Sequence, residues 1–272
     1  ETTTIGTGED KDIFDFEDCD WDVQKYSSLG SYNTRSSKGW FINMEVLKNL
    51  PDGGYQIDSP SYLYVGHGNH KLYDVEHGVH GYYTPSSLRV SQFSGTGGQS
   101  GGYPPNYIAS GTVRVNSPLF VMKENYVTAY MYYDRWRTGY WNSTCGSPYS
   151  TISVKVQLID ATSGSVISEQ IYERKWNTVT TFIGYSGGLP DYSTSNVVSD
   201  NLATMEGMWR PVILNGSAYK GRTVFIRIDS SMNSASVCGN TCYGNGDSFD
   251  VYFDEIHFSD AYGDYISYYT SV

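Results

Sequence analysis

Four of the five histidines stand in two copies of one short pattern, His67-Gly-Asn-His70 and His77-Gly-Val-His80. Imidazole nitrogens suit zinc, copper or nickel, and paired histidines on a hairpin can converge on one such ion. Two other readings stay open at this point: a loop whose histidines only hydrogen-bond, and a protonation switch at about pH 6. A second constellation is aromatic. Tyr130, Tyr132, Tyr133, Trp136, Tyr140 and Trp141 crowd a stretch that also holds Arg135 and Arg137. Planar rings stack on sugar faces, which makes Tyr132, Trp136, Tyr140 and Trp141 candidate ligand contacts. The same residue types are enriched at protein interfaces, and they also serve as core with arginine stems laid over it.

Catalytic patterns are missing from the chain. It has no Gly-X-Ser-X-Gly elbow, no phosphate-binding glycine loop and no His-Glu-X-X-His helix. Asp254 and Glu255 are adjacent in a strand-like stretch, which predicts opposite faces and rules them out as an acid–base pair. A lyase built on tyrosine and histidine is the residual enzymatic reading, and a non-catalytic protein is the expectation.

The four cysteines, Cys19, Cys145, Cys238 and Cys242, allow three pairings. Cys238 and Cys242 flank a turn-rich Gly-Asn-Thr and pair most easily, which would leave Cys19 for Cys145. A zinc site is the rival reading, though it favours two close pairs. Disulfides imply an oxidising compartment. The sequons at Asn142 and Asn215 agree with an extracellular setting. With no basic leader and apolar core at its start, Glu1 reads as the first residue of a processed or trimmed chain.

The formal charge is −11. A phosphate backbone needs clustered lysine and arginine, so a nucleic-acid partner is not expected. No run of about 18 apolar residues is present to span a bilayer as a helix.

The elements that must position these groups are strands. With 26 Tyr and 29 Gly among 272 residues, the composition suits pleated surfaces joined by tight turns. Ile152, Val154, Val156 and Leu158 alternate with polar residues, Asp160 to Gly164 is a turn, and Val166 to Tyr172 returns as a hairpin. Ser86–Phe93, Thr112–Val115, Tyr126–Tyr133, Val224–Asp229 and Phe249–Phe258 are further strands. The nearest approach to a helical stripe is Phe41 to Leu50, where Phe41, Met44, Val46, Leu47 and Leu50 would make a short helix. The expected fold is all-β, a jelly-roll-like antiparallel β-sandwich with a long loop-rich insertion. Residues 1–12 form an N-terminal arm able to act as a donor strand. Residues 13–260 form one sandwich domain with the insertion at about 41–85, and 261–272 form a Tyr-rich tail.

Phe14-Asp15-Phe16-Glu17-Asp18-Cys19-Asp20-Trp21 resembles the opening strand of MAM domains. Val251-Tyr252-Phe253-Asp254-Glu255-Ile256-His257-Phe258 resembles their closing strand, and Val115-Asn116-Ser117-Pro118-Leu119-Phe120 their Ser-Pro element. Jelly-roll carbohydrate-binding modules are similar in the Phe-Glu opening, the acidic closing strand and a Ser-Leu-aliphatic strand matched by Ser86–Val90. The chain is longer than a MAM domain and has a different cysteine set. The resemblance to such modules implies a structural calcium joining the first and last strands. It would be held by Glu17 and Asp254, with Asp18 and Asp247 as further ligands.

These readings point to a non-catalytic extracellular structural or adhesive protein. It would associate with copies of itself, or with another surface protein, through strand and aromatic contacts. Glycan binding is the alternative.

Overall fold

Alternation sets the strands. In the computed structural model the described residues are 12–14, 16, 22–26, 28–51, 56–57, 62–68, 87–93, 97–98, 106–134, 149–176, 180–186, 189–194, 197–235 and 248–266. In chain order the strands are β1 (Asp12–Phe14), β2 (Asp22–Tyr26), β3 (Gly30–Arg35), β4 (Phe41–Pro51), β5 (Gln56–Ile57), β6 (Tyr62–Gly68) and β7 (Ser87–Phe93). There follow β8 (Gly97–Gly98), β9 (Asn106–Asn116), β10 (Phe120–Val121), β11 (Tyr126–Asp134), β12 (Tyr149–Asp160) and β13 (Val166–Trp176). The last are β14 (Thr180–Ser186), β15 (Leu189–Thr194), β16 (Val197–Asp200), β17 (Arg210–Asn215), β18 (Thr223–Ala235) and β19 (Ser248–Ser259). Helical structure among the described residues is confined to two 3-10 turns, Leu202–Met205 and Ser217–Tyr219.

Two sheets carry the fold. The first runs β17-β11-β19-β7-β6-β2, with β1 also on β19; the second runs β16-β13-β12-β18-β9-β4-β3, with β10 on β18. Every pairing in them is antiparallel, and most neighbours are distant in sequence, as a sandwich with crossing connections requires. Two small two-stranded sheets, the β14-β15 hairpin and the longer-range pair β5-β8, complete the pairing.

The predicted hairpin is β12-β13, with Val154 opposite Tyr172. Its turn closes through the Gly164 N–H to the Asp160 carbonyl at 2.8 Å. Gly164 has φ +71, a left-handed conformation that glycine adopts without a Cβ clash. The opening and closing stretches meet as expected, with Phe14 in register with Ile256. An aromatic cluster seals that end of the sandwich. Phe14 and Phe16 pack on Trp40 with ring centroids 5.0 and 5.2 Å away, and Phe120 lies 6.0 Å from both Phe14 and Phe258. The Ser-Pro element is pinned beside it: the Ser117 hydroxyl accepts the Ile226 N–H at 2.9 Å, while the Ser117 N–H donates to the Ile226 carbonyl at 2.8 Å.

The stretch from Phe41 is a strand, not a helix. Ile42, Met44 and Val46 point into the core while Leu47 is exposed, so the apolar set divides by twos. Partners on both sides, β3 and β9, pair its backbone groups. In the same 41–85 stretch, β4 and β6 belong to the two main sheets.

The core lies between the sheets. Ile42, Val115, Ile226, Val154 and Val156 face inward from the second sheet, and Leu63, Val90, Phe253, Val127 and Leu214 from the first. Leu88, Val90 and Gln92 share the inner face of β7, and the Gln92 amide is buried with neither its nitrogen nor its oxygen hydrogen-bonded. Truncating Phe253, which is fully buried, is expected to cost about 3–5 kcal/mol in denaturant unfolding. Gln92→Leu, which removes an unpaired buried amide at similar volume, should instead stabilise by about 1–3 kcal/mol in the same measurement.

Candidate functional site

Val251, Phe253 and Ile256 of β19 enter the core, so Asp250, Tyr252 and Asp254 project from the opposite, outer face of the first sheet. Strand register builds a row there. Tyr252 stands opposite Tyr132 of β11 on one side and Arg89 of β7 on the other. Tyr132 packs on Trp209 (5.6 Å, 51°) and on Tyr252 (6.0 Å, 76°). Arg89 lies 5.1 Å over the Tyr64 ring and donates to Asp250 Oδ1 through Nε (3.0 Å) and Nη2 (2.9 Å). Burial works against the Arg89 charge, yet Asp250, with smaller help from Tyr252 and Tyr62, holds the guanidinium above its ordinary value. Trp209, Tyr252 and Tyr64 are buried, whereas the Arg89 side chain keeps 26% of its surface open.

The alternation of β19 then breaks. Tyr130 is opposite Asp254 and Thr128 opposite His257, so Ala129 alone faces Glu255 and Ile256. Glu255 takes φ +45 to accommodate the extra residue, a β-bulge. This corrects the expectation that Asp254 and Glu255 occupy opposite faces: Ile256 resumes the inward position, and both acids remain off the core. The Glu255 N–H donates to Asp254 Oδ1 at 2.8 Å, and the Tyr265 hydroxyl donates to Glu255 Oε2 at 2.7 Å. Asp254, Glu255, His257 and Tyr130 are all buried. Burial, followed by the charges of Glu255 and Asp264, pushes the Tyr130 phenol well above the ordinary tyrosine range. Sequence reading missed Trp209, Arg89 and His257 as members of these arrangements. They come from three separate segments and carry no local pattern.

Of the sequence candidates, Tyr132 joins the outer-face row, while Trp136, Tyr140 and Trp141 lie outside the described residues. Asp254 is fully buried in β19, and Glu17, Asp18 and Asp247 lie outside. His67 sits in β6, opposite Leu88 of β7; His70, His77 and His80 lie outside. Among the described residues no group of three His, Cys, Asp or Glu side chains is placed to hold a metal ion. Cys19, Cys145, Cys238, Cys242 and Asn142 are outside the described residues, and Asn215 is exposed at the end of β17.

A different surface stands at the sheet edges. β2 ends the first sheet and β3 the second, and they are consecutive in the chain. Tyr26, Leu29 and Tyr32, which are 54%, 64% and 46% exposed, cluster along this short stretch. β3 pairs with β4 on one side, and it carries one charged residue, Arg35, with no lysine and no proline. Edge strands are commonly blunted by those residues.

No protein-family model matches the chain, and no curated protein matches it either. Among solved structures, a carbohydrate-binding module of the β-sandwich superfamily is similar at 10% identity over 87% of this chain and 76% of its own, with a TM-score of 0.30. TmCBM61 in complex with β-1,4-galactotriose is similar at 8% identity over 90% and 94%, with a TM-score of 0.29. A cleaved adhesin domain of Lys-gingipain from Porphyromonas gingivalis is similar at 12% over 87% and 96%, also with a TM-score of 0.29. Likeness this slight transfers no function, and the sandwich stands on its own strand pairing. No helix among the described residues is long and apolar enough to cross a membrane.

The raised Tyr130 phenol has a consequence at alkaline pH. Unfolded tyrosines ionise near the ordinary value of 10.0 while Tyr130 stays protonated in the fold. The unfolded state therefore loses its proton first, and stability falls as pH rises above that value. In a spectrophotometric titration, Tyr130→Phe is expected to remove one phenol that ionises only on unfolding, and to flatten the alkaline loss of stability.

Proposed function

We propose that this chain is a non-catalytic extracellular module of structural or adhesive type that associates with copies of itself through the β2–β3 edge. The observation that carries the reading is β3. Among the described residues it is an edge strand with one neighbour, β4; it carries exposed Tyr32, follows exposed Leu29, and lacks the lysine and proline that usually prevent strand addition. Strand addition supplies main-chain hydrogen bonds for affinity, and aromatic side chains along the edge supply contact area. Residues Thr2-Thr3-Thr4-Ile5 have the composition of a strand that such an edge accepts. The non-catalytic reading is supported by the acids and histidine of β19 being buried away from any substrate.

Light scattering over a concentration series tests this. The wild type should form higher species as concentration rises. The Leu29→Lys/Tyr32→Lys double variant should remain monomeric with an unchanged thermal midpoint, since both side chains are exposed. A wild type that stays monomeric at the highest concentration would overturn the proposal.

Glycan binding is a second reading, favoured by part-exposed Tyr132 and Arg89 at the border of the buried Trp209–Tyr252 pair. Here a glycan array should return hits that Arg89→Ala weakens by at least about tenfold, the scale of one lost charged hydrogen bond. An array without hits would exclude it.

A further inference from the structure

His257 is fully buried, and both of its ring nitrogens meet carbonyl oxygens. Nδ1 lies 2.7 Å from the Glu255 carbonyl and Nε2 lies 3.0 Å from the Gly263 carbonyl. Carbonyl oxygens only accept. A neutral imidazole has a single N–H, so it can satisfy one of the two and must turn a lone pair on the other; imidazolium donates to both. The surroundings favour that charged form. The Tyr265 ring is stacked on the imidazole at 3.7 Å and 14°, and Tyr130 of β11 lies at 5.9 Å and 25°. Aromatic faces attract a cation.

Among the described residues, acidic or phenolic groups stand on the elements packed against it: Asp254 and Glu255 on its own strand, Tyr130 on β11, and Asp264 and Tyr265 on the C-terminal segment. Opposite charges nearby favour the protonated imidazole.

We infer that His257 is an imidazolium in the folded protein and serves as a pH-sensitive latch that fastens the C-terminal segment, residues 260–266, to the first sheet. That segment is a compact hook. Asp260 Oδ1 accepts the N–H groups of Tyr262 (2.8 Å) and Asp264 (3.0 Å), and Tyr265 bridges back to Ser259. Gly263 lies so close to β17 that a Cβ there would approach the Pro211 Cβ to 3.1 Å. The hook therefore covers Pro211 and Ile213 on the edge strand of the first sheet. The Nε2 bond to the Gly263 carbonyl is the one that fastens the hook, since Glu255 belongs to β19; loss of the Nε2 proton removes it and lets the hook lift from β17. A fold that holds the ring as imidazolium raises its value above the unfolded one, so by linkage the latch is at full strength below the unfolded value of about 6.5. It is lost as pH rises through the folded value.

Long-range proton–nitrogen correlation spectra of the histidine rings, recorded from about pH 5 to about pH 10, test the protonation. They are paired with amide hydrogen exchange over residues 262–265 across the same range. His257, assigned by its absence in His257→Gln, should show protons on both ring nitrogens at neutral pH. Hook exchange, corrected for its intrinsic pH dependence, should quicken at least about tenfold as the ring titrates, the scale of one charged hydrogen bond. That step should be absent from His257→Gln. Glu255→Gln should move the titration to lower pH while leaving the wild-type ring contacts in place, and this keeps the test decisive if His257→Gln folds poorly. A His257 ring with a single protonated nitrogen at neutral pH would overturn the inference. So would hook exchange indifferent to its titration.

Discussion

β19 is buried on both faces, and that constraint organises the first sheet. Its inward residues, Val251, Phe253 and Ile256, fill the core, while Asp250, Asp254, Glu255 and His257 are buried on the outer side. A polar group taken out of water without a partner costs more than a made hydrogen bond returns. Asp250 is accordingly matched by Arg89, Glu255 by Tyr265, and His257 by two carbonyls. The bulge at Glu255 lets two acids share the outer side without forcing Ile256 out of the core. The C-terminal hook supplies partners to both: the Gly263 carbonyl to His257 and the Tyr265 hydroxyl to Glu255.

The second sheet satisfies its polar side chains differently. On its outer face side chains pair along rungs of the ladder: Arg114 with Asp229, Arg227 with Asn116, Asn43 with Asn33, and Gln157 with Glu169. The Arg114–Asp229 ion pair is part exposed, and such pairs typically contribute below about 1 kcal/mol. The β2–β3 edge differs, because exposed Tyr26, Leu29 and Tyr32 lie where both sheets end among the described strands. A self-associating module needs both in one place: apolar contact area for affinity and an ordered ladder for register.

Regular alternation made much of this fold legible. The β12–β13 hairpin, the inward face of β7 and the meeting of the first and last strands all follow from residues spaced by two, since a strand must turn alternate side chains to the core. The stretch from Phe41 defeated that logic only in part. Its apolar residues fit either period, and what made it a strand was the presence of β3 and β9 on either side to take up its backbone groups.

The amino-acid sequence alone determined the all-β class, the main strands and the absence of recognisable catalytic motifs, because these depend on local residue type and spacing. Tertiary structure decided which polar residues are buried and which aromatics meet. Asp254 and Glu255 read as facing opposite ways in sequence, yet a bulge keeps both off the core, and a strand covered on both sides buries them together with His257. Trp209, Tyr132, Tyr252 and Arg89 come together only through pairing between distant strands. The β2–β3 edge likewise has no signature in sequence, since a strand becomes an edge only when the sheet ends beside it.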